Sequence, residues 1–173
     1  VVNMLVKDYG NASSMHMKGV EAEAFVKEAA ARVAKTLRAS EKEIIFTSGG
    51  TESNNLAIIG AAMANRRSGM HLITNSVEHP SVRNVMLYLE EQGFRITYLN
   101  VDQEGIIDLK QLREAVCEDT ILVSLMLVNN EIGAVEPVEE AARIIHEKNP
   151  GTLIHVDAIQ AYGKYRIFPK RMG

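Results

Sequence analysis

The chain has 173 residues, of which 46% are hydrophobic and 24% charged, a composition typical of a globular protein of one domain or slightly more. A formal net charge of −3 argues against a nucleic-acid or membrane-surface partner. The single cysteine, Cys117, cannot form an internal disulfide, and no stretch of about 18 apolar residues could cross a membrane. These features predict a soluble, cytoplasmic protein without a disulfide. The sequence starts with Val1 rather than Met and shows no secretory pattern, so we expect the chain to be a cropped or processed piece of a longer protein.

The first predicted elements are a loop and a helix. Turn-forming residues dominate positions 8–14, and we expect residues 1–19 to form an N-terminal loop segment and residues 20–173 to form the core of the domain. A helix is predicted over Val20–Leu37, because apolar side chains recur there at intervals of four. The face that should pack comprises Phe25, Ala29, Val33 and Leu37.

The next segment has the order strand, glycine turn, helix. Glu43–Phe46 has the length of a strand, Ser48–Asn55 contains two adjacent glycines, and Leu56–Met63 suits a helix. Glycines let the backbone approach a ligand closely, and the first N–H groups of a helix have no internal partner, so this pattern predicts an anion site, with Thr51 as an added hydroxyl donor. A glycine turn that only stabilises the chain is an equally open interpretation.

The remaining elements alternate between strands and helices. Strands are predicted at Met70–Asn75, Phe94–Leu99, Thr120–Val128 and Thr152–Val156. Helices are predicted to start at Pro80, at Asp108, whose capping box would include Gln111, and at Pro137. The almost continuous apolar character of the third strand predicts a central position, and alternation in the second predicts an edge. The pattern predicts an α/β fold with a mostly parallel sheet and helices on both faces.

Four polar clusters fall where predicted strands end. They are Ser48–Thr51, Glu78–His79, Asn129–Asn130, and Asp157 with Gln160. In open parallel sheets, ligands bind outside the carboxyl ends of the strands. A phosphate cradle, an imidazole, carboxamides and a carboxylate together suit pyridoxal 5'-phosphate, whose pyridine nitrogen a carboxylate such as Asp157 keeps protonated.

Each of these side chains also has a plainer interpretation. Asp157 could be a helix cap, and Asn130 and Gln160 could be turn or surface residues. His79 could stack on the ring and move protons, or it could be only an N-cap residue. Cys117 has no evident base beside it in the sequence, which favours a buried or inert thiol. No metal site is predicted, since His16, His71, His146 and His155 have no metal-like spacing with one another or with Cys117.

Five blocks in order resemble the NifS/IscS type of cysteine desulfurase, within the class V aminotransferase group of fold-type I enzymes that use pyridoxal phosphate. The blocks are Tyr9–His16, Phe46–Asn55, Glu78–Pro80, Asn129–Gly133 and His155–Lys164. The resemblance implies that six residues contact the cofactor. Gly50 and Thr51 would bind the phosphate, and His79 would stack on the ring and shuttle protons. Asn130 would lie near the ring and the substrate, Asp157 would pair with the pyridine nitrogen, and Gln160 would bond the phenolic oxygen. Gly50 departs from the alanine common in the family.

The implied reaction removes sulfur from L-cysteine to give alanine and an enzyme persulfide for iron–sulfur or thio-cofactor assembly. The implied partners are a sulfur-acceptor or scaffold protein and a second subunit in a homodimer. The family's Schiff-base lysine and persulfide cysteine would lie beyond Gly173, and another family segment would precede Val1, so the chain alone is expected to be an inactive cofactor-domain fragment. The alternatives are a selenocysteine lyase or other class V relative, and a non-enzymatic remnant that acts as a binding module.

Overall fold

The structure is a computed structural model that describes residue 3, residues 6–7 and residues 9–173. The predicted loop at 8–14 therefore lies partly outside the described residues. The chain divides into two compact units: the described residues up to Phe46 with Ile167–Pro169, and Thr47–Arg166 with Lys170–Gly173. This division differs from the predicted boundary at residue 19, which stays a prediction.

The first unit contains helix α1, Met17–Leu37, and a short 3₁₀ turn, Glu41–Glu43. The predicted helix is confirmed, but its predicted packing face is only partly correct, since Val33 and Leu37 are half-buried. Phe25 is 37% exposed and Ala29 is also exposed, whereas the buried positions carry small residues: Gly19, Ala22, Ala30 and Ala34. The prediction was based on the larger apolar residues, so it did not detect a face that packs through glycine and alanine.

The predicted strand at Glu43–Phe46 is also wrong. Ser40 and Glu43 form a capping box that closes the 3₁₀ turn, with the Glu43 carboxylate accepting from the Ser40 N–H at 2.6 Å. Ile45 and Phe46 are 72% and 54% exposed, and no described strand pairs with them. A strand needs a hydrogen-bonded neighbour, so the apolar run remains irregular.

The second unit is built on a four-stranded parallel sheet in the order β2-β1-β3-β4. The strands are β1 His71–Asn75, β2 Arg95–Leu99, β3 Thr120–Met126 and β4 Leu153–Asp157. Every residue of β3 is buried, while β2 is partly exposed and lies at an edge. The predicted central and edge positions of these two strands are therefore confirmed.

Helices cover both faces of this sheet. They are α2 Gly50–Asn65, α3 Pro80–Glu91, α4 Leu109–Ala115 and α5 Val138–Lys148; a short helix α6, Pro169–Met172, ends the described chain. Leu72 packs with residues of α2 and α3, whereas the next residue, Ile73, packs with residues of α4 and α5. Since successive strand residues point to opposite faces, two apolar clusters form, and the predicted α/β architecture is confirmed. No helix in the described part of the chain is long and apolar enough to span a membrane.

The start of α4 corrects one detail. Asp108 caps the helix as predicted, accepting from the backbone N–H groups of Lys110 and Gln111. The Gln111 side chain does not complete a capping box; it accepts from the Asn100 N–H at 2.7 Å, because the Asp108 N–H is already bonded to the Asn100 carbonyl.

Candidate active site

A cavity of about 350 Å³ opens at the carboxyl ends of β3 and β4, beside the first turns of α2 and α3. Its volume falls within the range of small-molecule sites, about 300–1,000 Å³. The lining residues are Gly50, Thr51, His79, Ser81, Met126, Val128, Asn130, Asp157, Ile159 and Gln160. All six residues selected from the sequence thus lie in one cavity, although their individual roles stay predictions.

One end of the cavity is the N-terminus of α2. Gly49 precedes the helix in an extended conformation and supplies no side-chain cap, so the N–H groups of Gly50 and Thr51 have no partner among the described residues. The Glu52 carboxylate instead accepts from the backbone and hydroxyl of Ser48, bonds that lower the pKa of Glu52. Unpaired N–H groups at the positive end of a helix form an anion site.

Glycine at position 50 has a local reason. A Cβ built there would overlap Cδ1 of Ile159, which follows β4 and also lines the cavity. The missing Cβ lets the first turn of α2 approach the loop that carries Asp157 and Gln160. Both atoms near such a Cβ belong to the Ile159 side chain, which is 57% exposed, so an alanine here would require that side chain to move.

Asp157, the last residue of β4, is held by two hydrogen bonds. Its Oδ1 accepts from the Ile159 N–H at 3.0 Å, and its Oδ2 accepts from Asn54 Nδ2 at 2.9 Å. The side chain is 8% exposed, and each carboxylate oxygen retains a further lone pair. The helix-cap interpretation is wrong, because a turn and not a helix follows Asp157. The carboxylate instead caps this turn and can still accept a bond from a ligand.

His79 is the N-cap of α3. Its Nδ1 accepts from the Ser81 N–H at 3.1 Å and lies 2.8 Å from the Ser81 hydroxyl. The N-cap interpretation is thus correct, and it is compatible with a functional role, since the ring also lines the cavity. Asn130 is exposed in the loop after β3, and Gln160 accepts from Lys164 Nζ at 3.5 Å.

Glu78, which the sequence placed in a polar cluster without a role of its own, is a buried carboxyl. Its Oε1 accepts from the Met126 N–H at 2.6 Å and from Asn75 Nδ2 at 3.1 Å, which ties the loop before His79 to the end of β3. Burial raises the pKa of Glu78 to about 8, and the negative charges of Asp157 and Glu136 add to this rise. Its position three residues after the end of a buried strand and directly before His79 was the available signal.

Cys117 contradicts the expectation of a thiol with no base beside it. Its Sγ lies 3.4 Å from Thr120 Oγ1, 3.6 Å from His71 Nδ1 and 3.7 Å from an Arg95 guanidinium nitrogen. Burial raises the pKa of the thiol, but hydrogen bonds from Thr120 and Arg95 outweigh it and the net direction is downward. These groups lie at the amino ends of the strands, away from the cavity. No group of three His, Cys, Asp or Glu residues that could hold a metal ion occurs within the described residues.

Comparisons with known proteins agree with this geometry. A family model described as aminotransferase class-V matches residues 1–173, and the chain belongs to this family. It is 48% identical over 155 residues to a putative cysteine desulfurase IscS 1 of Bacillus subtilis (strain 168), covering 90% of this chain and 40% of that protein. It is 49% identical over 169 residues to a mitosomal cysteine desulfurase of Trachipleistophora hominis, covering 96% and 38%. The chain thus spans about two fifths of the length of these relatives.

Solved structures give the same result. A NifS-like protein superposes with a TM-score of 0.95 at 40% identity, over 99% of this chain and 47% of that one. A structure of SspA in complex with cysteine superposes with a TM-score of 0.92 at 37% identity, over 98% and 48%. These likenesses confirm that the chain resembles the NifS/IscS group.

The family's enzymes depend on pyridoxal phosphate, and the cavity fits that group. The unpaired N–H groups of Gly50 and Thr51 suit a phosphate. Asp157 offers a buried carboxylate to a pyridinium nitrogen, while Asn130 and Gln160 provide carboxamides.

Proposed function

We propose that this chain is the cofactor-binding core, residues 20–173, of a cysteine desulfurase that takes sulfur from L-cysteine and leaves L-alanine. The observation that carries the proposal is the convergence of six residues from four separate segments on one cavity, in a chain whose relatives are named cysteine desulfurases. The sulfur would leave as an enzyme persulfide for an acceptor or scaffold protein. We further propose a cytoplasmic homodimer.

Each residue has a distinct task in this proposal. The backbone N–H groups of Gly50 and Thr51 bind the cofactor phosphate, and Asp157 accepts the pyridinium N–H. Gln160 bonds the phenolic oxygen, Asn130 orients the ring and substrate, and His79 stacks on the ring and moves a proton at Nε2. Bound pyridoxal phosphate supplies an electron sink for the substrate's α-carbon. No lysine is among the described residues that line the cavity, so the amine that bonds the cofactor would come from another part of the full-length protein.

The test is an absorbance titration of the full-length protein with pyridoxal phosphate, followed by assay of alanine and sulfide from L-cysteine. Asp157→Asn should preserve folding and abolish most activity, because a neutral amide cannot hold the pyridine nitrogen protonated. Asn55→Ala is the matched control, since Asn55 is half-buried, is not among the residues that line the cavity, and its side chain bonds the Thr51 carbonyl. Equal activity in both variants would contradict the role of Asp157.

The alternatives predict other outcomes in the same assays. A selenocysteine lyase would release selenide from L-selenocysteine while leaving L-cysteine intact. A different class V enzyme would bind the cofactor and release no sulfide from L-cysteine. A non-enzymatic binding module would show no cofactor band in the full-length protein.

A further inference from the structure

A chain of hydrogen bonds connects Asp157 to His79 through the side chains of Asn54 and Ser81. Asp157 Oδ2 accepts from Asn54 Nδ2 at 2.9 Å, and the same nitrogen donates to Ser81 Oγ at 2.9 Å. Ser81 Oγ in turn lies 2.8 Å from His79 Nδ1. Asn54 and Ser81 are 3% and 7% exposed, so water does not compete for these bonds. His79, which the proposed function stacks on the cofactor ring, and Asp157, which it bonds to the pyridinium nitrogen, therefore belong to one network.

The chemistry of the donors fixes the direction of each bond. An amide nitrogen only donates, so both Nδ2 hydrogens of Asn54 are used, one on Asp157 and one on Ser81. Since Ser81 Oγ accepts from Asn54, its own hydrogen is available for His79 Nδ1. The Ser81 backbone N–H points to the same ring nitrogen at 3.1 Å. A nitrogen that receives two donors must present its lone pair, so the hydrogen of the neutral imidazole resides on Nε2.

We propose that Asn54 and Ser81 are positioning residues that set the His79 tautomer and the orientation of the Asp157 carboxylate together. Nε2 of His79 has no partner among the described residues, so the N–H that this tautomer places there is available to a ligand in the cavity. Asn54 occupies one lone pair of Asp157 Oδ2 and leaves others for a pyridinium nitrogen. The importance of this pairing for catalysis rests on the proposed function; the tautomer itself does not.

The network is anchored by two helix starts. Asn54 lies four residues after Gly50, on the same face of α2 as the proposed phosphate contact. Ser81 is the second residue of α3, where its N–H belongs to the free first turn of that helix. Movement of either helix would therefore change the phosphate site and the imidazole together.

The test uses full-length protein with ¹⁵N-labelled histidine, examined by NMR without cofactor. The His79 signal is assigned by its loss in His79→Asn. We expect a protonated Nε2 and a bare, hydrogen-bonded Nδ1. In Ser81→Ala, the Nδ1 resonance should move toward that of a more weakly hydrogen-bonded nitrogen, because only the backbone N–H of residue 81 remains as a donor. In Asn54→Ala it should move in the same direction by a smaller amount, because the Ser81 hydroxyl loses the donor that orients it. Ser81→Thr and the control Asn55→Ala should match the parent.

A hydrogen on Nδ1 in the parent would overturn the proposal, as would unchanged His79 signals in both alanine variants that retain parental far-UV circular dichroism. A second readout is the dissociation constant of pyridoxal phosphate, expected to rise about fivefold in Asn54→Ala, the effect of one lost hydrogen bond. Altered His79 signals with unchanged cofactor affinity would overturn the coupling to Asp157. If no form binds the cofactor, the proposed function fails, while the tautomer is still decided by the spectrum.

Discussion

Replacing Glu78 by Gln should change how the stability of the fold depends on pH. Glu78 is 7% exposed, its Oε1 accepts from the Met126 N–H and Asn75 Nδ2, and its Oε2 has no partner among the described residues. A glutamine keeps the Oε1 acceptor and never ionises. The substitution therefore removes the titration of one buried carboxyl while preserving the bonds that hold the loop to β3.

The sign follows from the raised pKa. Burial, with the nearby charges of Asp157 and Glu136, moves the pKa of Glu78 from 4.5 to about 8. Between pH 4.5 and 8 the folded state holds a proton that the unfolded state has released, so the free energy of unfolding decreases as pH rises. The full decrease from this group is about 5 kcal/mol, and about 3 kcal/mol of it has occurred by pH 7.

Urea unfolding of parent and Glu78→Gln at intervals from pH 4.5 to 9 measures this effect. The difference between the two free energies of unfolding should grow in favour of Glu78→Gln up to about pH 8 and then stay constant. Titrating groups that do not interact with Glu78 contribute equally to both proteins and cancel. Exposed Glu114 provides the control, since Glu114→Gln should give a curve parallel to the parent. A difference for Glu78→Gln that does not change with pH would refute a raised pKa at this carboxyl.

Two further substitutions test the helix starts. Gly49→Asp adds an N-cap to α2 at a position where a Cβ meets no atom within 4 Å, so thermal unfolding should show a gain in stability of about 0.5 kcal/mol. The affinity for pyridoxal phosphate should fall at least about tenfold, because the carboxylate competes for the N–H groups and repels the phosphate. Unchanged affinity would place the phosphate elsewhere. Asp108→Ala should cost about 1 kcal/mol in urea unfolding by freeing the N–H groups of Lys110 and Gln111, and Asp108→Asn should cost much less, since it retains an acceptor. Equal losses in the two variants would contradict the capping role.

The sheet and the place of the site were predictable because both depend on local patterns. The apolar run at Thr120–Val128 has no polar face, so only a central strand could accommodate it, and β3 occupies that position. Polar residues directly after strands, such as Asp157, must meet at one edge of a parallel sheet. Neither inference required knowledge of a long-range contact.

The interactions that join distant parts of the chain were not predictable in this way. Asn54 and Asp157 are 103 residues apart, and nothing in the spacing of either residue indicates the other. Cys117 and His71 are 46 residues apart, so the imidazole beside the thiol was missed. The strand predicted at Glu43–Phe46 was wrong for the same reason, because a segment forms a strand only when a neighbouring strand pairs with it.

The helix that carries the phosphate site also explains how the site is held in place. Positions 50, 54, 58 and 62 of α2 recur at intervals of four and so share one face. Ile58 and Ala62 are fully buried against the sheet, Asn54 bonds Asp157, and Gly50 approaches Ile159. Along this one face, Ile58 and Ala62 pack in the core, Asn54 makes hydrogen bonds, and Gly50 exposes its backbone at the cavity. Packing of Ile58 and Ala62 fixes the rotation of α2, and this rotation in turn aims the amide of Asn54 and the first N–H groups of the helix.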